Sequence, residues 1–221
     1  AGALFSKTVT CSLPAALLLL IWWKRGRIGW RDVWPLVPFF ALGIGLACVT
    51  IRMETGIVGA SGPDWALSFL QRVLIAGRAL WFYAYKLVWP AHLAFIYERW
   101  QIDARLWWRY LYPAAALGTV LVLWLARRRI GRGPLTAVLF FGGTVFPALG
   151  FFNIYPMRYS FVADHFQYLA SLGLIALVVG SLAFIVQRFG TRAQRAAPVC
   201  GVAVLGVLAV STFRQSLIYE N

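Results

Sequence analysis

The sequence predicts an all-α, polytopic membrane protein: about six transmembrane helices plus one basic helix that is re-entrant or interfacial. Three observations carry this. The 221 residues are 61% hydrophobic and only 13% charged. Several apolar runs approach or exceed the ~20 residues that cross a hydrocarbon core as a helix. The cations gather in short loops between those runs, the pattern of the positive-inside rule. The same clustering accounts for the net charge of +14 as a membrane feature, so the expected partner is the lipid bilayer and not nucleic acid.

Six runs read as spans: Leu4–Trp23, Val37–Ile51, Leu111–Leu125, Leu135–Phe152, Tyr168–Val186 and Pro198–Thr212. The first run ends in KRGR without a small-residue cleavage site, so it is not a signal peptide. The opening AGALFSKTVT reads as the interior of a longer protein. Cys11, Cys48 and Cys200 all fall in apolar runs without metal-ligand spacing, and they read as small core hydrophobes. Gly62-Pro63 and Gly133-Pro134 punctuate loops at helix ends.

A seventh stretch, Ser68–Trp89, has the length of a span but carries Arg72, Arg78 and Lys86. Charge decides its placement. The densest basic loops contain Lys24, Arg25, Arg27 and Arg31, then Arg127, Arg128, Arg129 and Arg132, then Arg188, Arg192 and Arg195. These fall on one side of the membrane only if Ser68–Trp89 does not complete a crossing. That side then holds eleven cations against the single acid Asp32, as expected of a cytoplasmic face. Residues 53–110 become one long extracytoplasmic segment, and the C-terminus is extracytoplasmic. The expected location is a multi-pass position in a membrane, with the basic loops on its cytoplasmic side.

Four constellations are candidates for chemistry. On the basic helix, Arg72, Arg78 and Lys86 fall within an arc of roughly 120° at about 100° per residue. Cations paired at membrane depth suit a lipid phosphate; an interfacial helix with snorkelling cations is the alternative. WPAHLAFIYERWQID, residues 89–103, joins aromatic faces to Glu98 and Asp103, a composition suited to sugar, with either carboxylate a weak candidate base. MRYSFVADHFQYLASLG, residues 157–173, places Arg158, Asp164 and His165 beside an apolar run. If Asp164 opens that helix, Tyr168 lies one turn further on the same face, and capping alone leaves Arg158, His165 and Gln167 unexplained. Lys7, in LFSKTVTCSLPA, lies in the outer third of its helix and either snorkels or reaches the same anionic head group. No Walker, Rossmann, nucleophile-elbow or zincin motif is present.

SKTVTCSLPAALLLL, KLVWPAHLAFIYERWQID and YSFVADHFQYLASLG resemble, in order and spacing, the membrane part of bacterial proteins that join a multi-spanning domain to tetratricopeptide repeats. Those proteins are similar to the transmembrane and tetratricopeptide-repeat O-mannosyltransferases of the GT-C glycosyltransferase class. The resemblance implies that residues 1–221 are the C-terminal part of a GT-C-like membrane domain, with repeats following FRQSLIYEN. It implies a polyprenyl-phosphate sugar as donor and a protein or glycan hydroxyl as acceptor. The family pattern of acid, basic residue, two residues, Tyr-Leu falls on Asp164, His165, Tyr168 and Leu169. His165 stands where the family more often has arginine, and Ala170 where it often has proline.

On this reading Arg72, Arg78, Lys86 and Lys7 neutralise the carrier phosphate, while Arg158, Asp164, His165 and Tyr168 shape the head-group pocket. The resemblance places the catalytic acid in a first outer loop before Ala1. A divalent metal fits such chemistry, but no ligand set in the sequence supports one. A transporter or flippase of lipid-linked sugars, and a non-catalytic membrane anchor for a repeat scaffold, are the competing expectations.

Overall fold

A computed structural model describes residues 11–91 and 93–217. Lys7 and His92 lie outside the described residues. Among those residues the chain is helical, without strands. It divides into two compact units, Ala1–Leu174 and Ile175–Asn221. The principal helices are α1 (Leu13–Arg25), α2 (Val37–Gly56), α3 (Phe69–Val88), α4 (Leu111–Ile130), α5 (Gly133–Val145), α6 (Tyr168–Val186) and α7 (Thr191–Ser216).

Among the described residues, four helical stretches are long and apolar enough to cross a membrane: Trp30–Gly56, Trp107–Ile130, Asp164–Val186 and Thr191–Ser216. At 1.5 Å per residue each exceeds the ~30 Å hydrocarbon thickness. Their side chains are mostly outward, with none buried along Thr191–Ser216. In water such a surface would aggregate; in lipid it is solvated. The predicted span Leu135–Phe152 is shorter than its apolar run suggests. The α-helix ends at Val145, Phe146–Ala148 forms a single 3₁₀ turn around Pro147, and Gly150 turns the chain at φ 95°. Proline interrupts the helical hydrogen-bond ladder although the hydropathy continues. The last helix departs the other way. It begins at Thr191 and runs through Pro198, two turns inside the helix, where the ring removes one N–H from the ladder without ending it.

Helix α3 is the organising element of the first unit. Ser68 caps it: its hydroxyl accepts from the Gln71 N–H at 3.2 Å, and the Gln71 side chain accepts from the Ser68 N–H at 2.8 Å, a reciprocal box. Leu74, Ile75, Ala76, Gly77, Ala79, Tyr83 and Lys86 are all buried. Gly77 allows the start of α4 to approach closely, since a Cβ there would lie 2.5 Å from the Pro113 nitrogen. Ala76, Ala79 and Tyr83 pack with Phe141, Val145 and Ala148 at the end of α5 and with Ala170 at the start of α6. The connection from α5 to α6 runs along α3 in the same direction. Gly150 meets Ile75, and the Ala163 N–H reaches the Tyr83 hydroxyl. Both ends of α3 therefore lie beside one loop, at one end of the α5–α6 pair.

Candidate functional site

The polar chemistry gathers at two poles of α3. Fourteen residues separate Arg72 from Lys86, a rise of roughly 21 Å along a helix. The sequence places both cations on one arc; the structure gives them separate surroundings.

At the N-terminal pole Arg72 donates to four protein oxygens. These are the carbonyls of Gly150 at 2.9 Å, Phe151 at 3.3 Å and Trp65 at 3.2 Å, and Asn153 Oδ1 at 2.7 Å. Both of its terminal nitrogens are engaged, so Arg72 clamps the loop after α5. Beside it, Trp65 Nε1 donates to the Ile154 carbonyl at 3.2 Å and Glu54 accepts from the Tyr155 N–H at 2.8 Å. Asp64 lies between Arg99 (3.6 Å) and Arg158 (3.5 Å), and Arg99 also donates to the Asp64 carbonyl. Arg158 is therefore an exposed partner of Asp64 in an ion triad, separate from the surroundings of Asp164.

At the C-terminal pole the carboxylate of Asp164 accepts from the Ala94 N–H at 3.0 Å and from the Tyr97 hydroxyl at 2.9 Å. It thus closes the 89–103 loop onto the 3₁₀ turn Asp164–Gln167 that precedes α6. The buried ammonium of Lys86 donates to the Ala91 carbonyl at 2.6 Å and sits 5.1 Å above the Tyr97 ring and 5.6 Å above Phe82. His165 stacks on Phe95 at 5.1 Å and meets Phe166 edge-on at 4.5 Å. The Tyr83 hydroxyl accepts from the Ala163 N–H at 3.3 Å, and burial pushes its phenol well above the usual tyrosine range. Gln167 is buried, and its Oε1 has no hydrogen-bond partner among the described residues.

Arg78 occupies the middle of α3, its guanidinium 4.1 Å above the Trp100 ring. Desolvation lowers its pKa, yet arginine starts so high that it stays cationic. Phe82 joins these parts, edge-on to Tyr83, Tyr97 and Trp100.

The structure thus brings Lys86, Asp164 and His165 to one pole, with Arg78 a few turns away. It separates Arg72 and Arg158 from them. Tyr168 does not share the face of Asp164: it is 71% exposed, because the 3₁₀ turn changes the rotation between the two positions. Glu98 and Asp103 are both exposed, and Asp103 accepts from the Arg105 N–H at 2.8 Å within a local turn. Tyr97 is the residue missing from the sequence-derived site. Its signal was present in the aromatic loop, but the partner that orients it lies 67 residues away. Among the described residues no group of three His, Cys, Asp or Glu side chains could hold a metal ion.

No known protein family, characterised protein or solved structure matches this chain.

Proposed function

We propose that the C-terminal pole of α3 binds the phosphate-sugar head of a polyprenyl-phosphate donor, and that the chain belongs to a membrane glycosyltransferase of GT-C type. The observation that carries this reading is the fixed carboxylate of Asp164, held by the Ala94 N–H and the Tyr97 hydroxyl within reach of an aromatic-walled, cation-bearing loop. Aromatic faces pack on the apolar faces of sugar rings, and charge at membrane depth is retained where a polar ligand uses it. Lys86 and Arg78 supply positive charge for the leaving phosphate. The unpartnered Gln167 oxygen supplies an acceptor for a hydroxyl. Arg72, Arg99 and Arg158 serve the scaffold.

In the reaction the acceptor oxygen attacks the anomeric carbon with inversion. The bond from that carbon to the phosphate oxygen breaks, polyprenyl phosphate leaves, and the acceptor proton passes to a base. Preorganised cations lower the cost of the charge that develops on the departing phosphate. Asp103 is committed to its turn, so an acid outside residues 11–217 is the better candidate for that base. The site faces the extracytoplasmic side of a bacterial inner membrane in this reading, and both ends of α3 beside one loop support an interfacial placement.

The test uses the full-length protein in proteoliposomes with polyprenyl-phosphate hexose, reading release of polyprenyl phosphate and uptake of the carrier. Asp164→Asn is expected to slow release by about 100-fold, within the range for loss of a positioned catalytic-site group, with membrane insertion intact. Unchanged release would sink the assignment. Translocation of the head group without bond cleavage would favour the transporter reading instead.

A further inference from the structure

One cavity of the molecule lies away from α3. It lies where the C-terminal ends of α1 and α4 meet, at the far end of α4 from the Pro113 contact with Gly77. Its volume is about 580 Å³. Trp22 and Trp124 form its walls, stacked at 6.1 Å with their planes 8° apart. Three arginines line it: Arg127, Arg128 and Arg132.

The three are not equivalent. Arg127 lies flat on Trp124 at 3.8 Å and donates to the Trp124 carbonyl, so it braces the wall. The Arg132 guanidinium lies 5.9 Å from the Trp22 ring and rests against the backbone of Gly26. A Cβ at Gly26 would strike it at 2.2 Å, and Gly26 also holds a left-handed φ of 76°. The left-handed backbone is what favours glycine there, since the tip of Arg132 can shift. Among the described residues neither Arg128 nor Arg132 has a carboxylate or hydrogen-bond acceptor. The neighbouring acid, Asp32, is already paired with Arg25 at 2.7 Å and with the Gly29 N–H at 2.9 Å. The cavity is therefore an uncompensated cationic notch beside two stacked tryptophans, at the end of a helix long enough to span a bilayer.

We propose that this notch is a binding site for the phosphate of an anionic phospholipid. Arginine forks match phosphate oxygens in bidentate geometry, and stacked indoles favour the head-group level, where one side meets acyl chain and the other water. The site is independent of the α3 pole and of any sugar chemistry there.

Native mass spectrometry of the full-length protein, titrated with phosphatidylglycerol and with phosphatidylcholine, tests this. Phosphatidylglycerol is expected to bind at least 10-fold tighter than phosphatidylcholine. R128Q/R132Q is expected to remove that preference. R128K/R132K, which keeps charge but loses the fork, is expected to retain part of it. R192Q/R195Q, altering a different basic stretch, is expected to leave it intact. Equal binding of the two lipids by the wild type would overturn the proposal, as would equal loss in both glutamine pairs, which means diffuse attraction. Millimolar inorganic phosphate that displaces the lipid and binds as tightly would also overturn it, in favour of a soluble-phosphate site. Circular dichroism and intrinsic tryptophan fluorescence of each variant separate misfolding from lost binding.

Discussion

Helices α3 and α7 invert the rule that soluble proteins follow. Helix α3 carries three cations and has seven buried positions, more than any other helix among the described residues. Helix α7 has a long uncharged centre and no buried position at all. In water the apolar helix would seek the core. In a bilayer the hydrocarbon already solvates apolar side chains, so nothing drives α7 inward. The helix that lipid cannot solvate is the one that must be enclosed by protein, its cations supplied with carbonyls, a side-chain amide and aromatic faces. Within the first unit, α3 is where buried apolar positions and enclosed cations coincide.

Overpacking the two helices equally gives the largest expected difference between them. Gly77→Val places a Cβ 2.5 Å from the Pro113 nitrogen, while Gly206 has nothing within 4 Å of where its Cβ would stand. Gly77→Val is expected to cost about 3 kcal/mol, the upper end for overpacking a close contact. Gly206→Val is expected to change stability by less than about 0.5 kcal/mol, as exposed sites do. Reversible unfolding in mixed micelles, followed by tryptophan fluorescence, measures both. Equal losses would mean that α7 packs against protein as closely as α3 does.

Charge deletion sharpens the same contrast at smaller amplitude. Arg72→Ala strands three carbonyls and the Asn153 side chain, and is expected to cost about 2 kcal/mol from unsatisfied partly buried acceptors. Arg72→Lys is expected to recover little, because one ammonium cannot reproduce a planar fork serving several acceptors. Arg214→Ala, at the exposed end of α7, is expected to be neutral within about 0.5 kcal/mol. A tolerated Arg72→Ala would return that side chain to the list of ligand contacts.

Much of the helical layout is legible in the sequence, because apolar period and length are local signals. Ser68–Trp89 is read within one residue of α3 at each end, and its three charges distinguish it from the apolar runs. The overshoot at Phe152 has a local cause: hydropathy rises through FPALGFF while Pro147 and Gly150 end the helix. The site is less legible. Helical angles place Arg72, Arg78 and Lys86 on one arc, but their surroundings come from residues 91–100 and 149–164, which no periodicity links to α3. Asp164 looks like a helix-terminus acid in sequence. In three dimensions it is the latch for Tyr97 and Ala94. The cationic notch shows the same limit, since the RRR and KRGR loops read as topology signals and only the stacking of Trp22 on Trp124 turns them into walls.

The smallest effect is also specific to α3, since α7 contains no tyrosine. Burial raises the Tyr83 phenol above its ordinary range, whereas in the unfolded chain it ionises near pH 10. Below that pH both states hold the proton and stability is insensitive to it. Above it the unfolded state releases a proton that the folded state keeps, so stability falls by about 1.4 kcal/mol per pH unit until the folded phenol also ionises. Tyr83→Phe removes this alkaline loss. At neutral pH it costs about 1 kcal/mol, because the Ala163 N–H loses its acceptor. The two stability curves are therefore expected to converge above pH 10 and then cross. Parallel curves from pH 8 to 12 would place the Tyr83 hydroxyl in contact with water, and with it the enclosed centre on which the contrast with α7 depends.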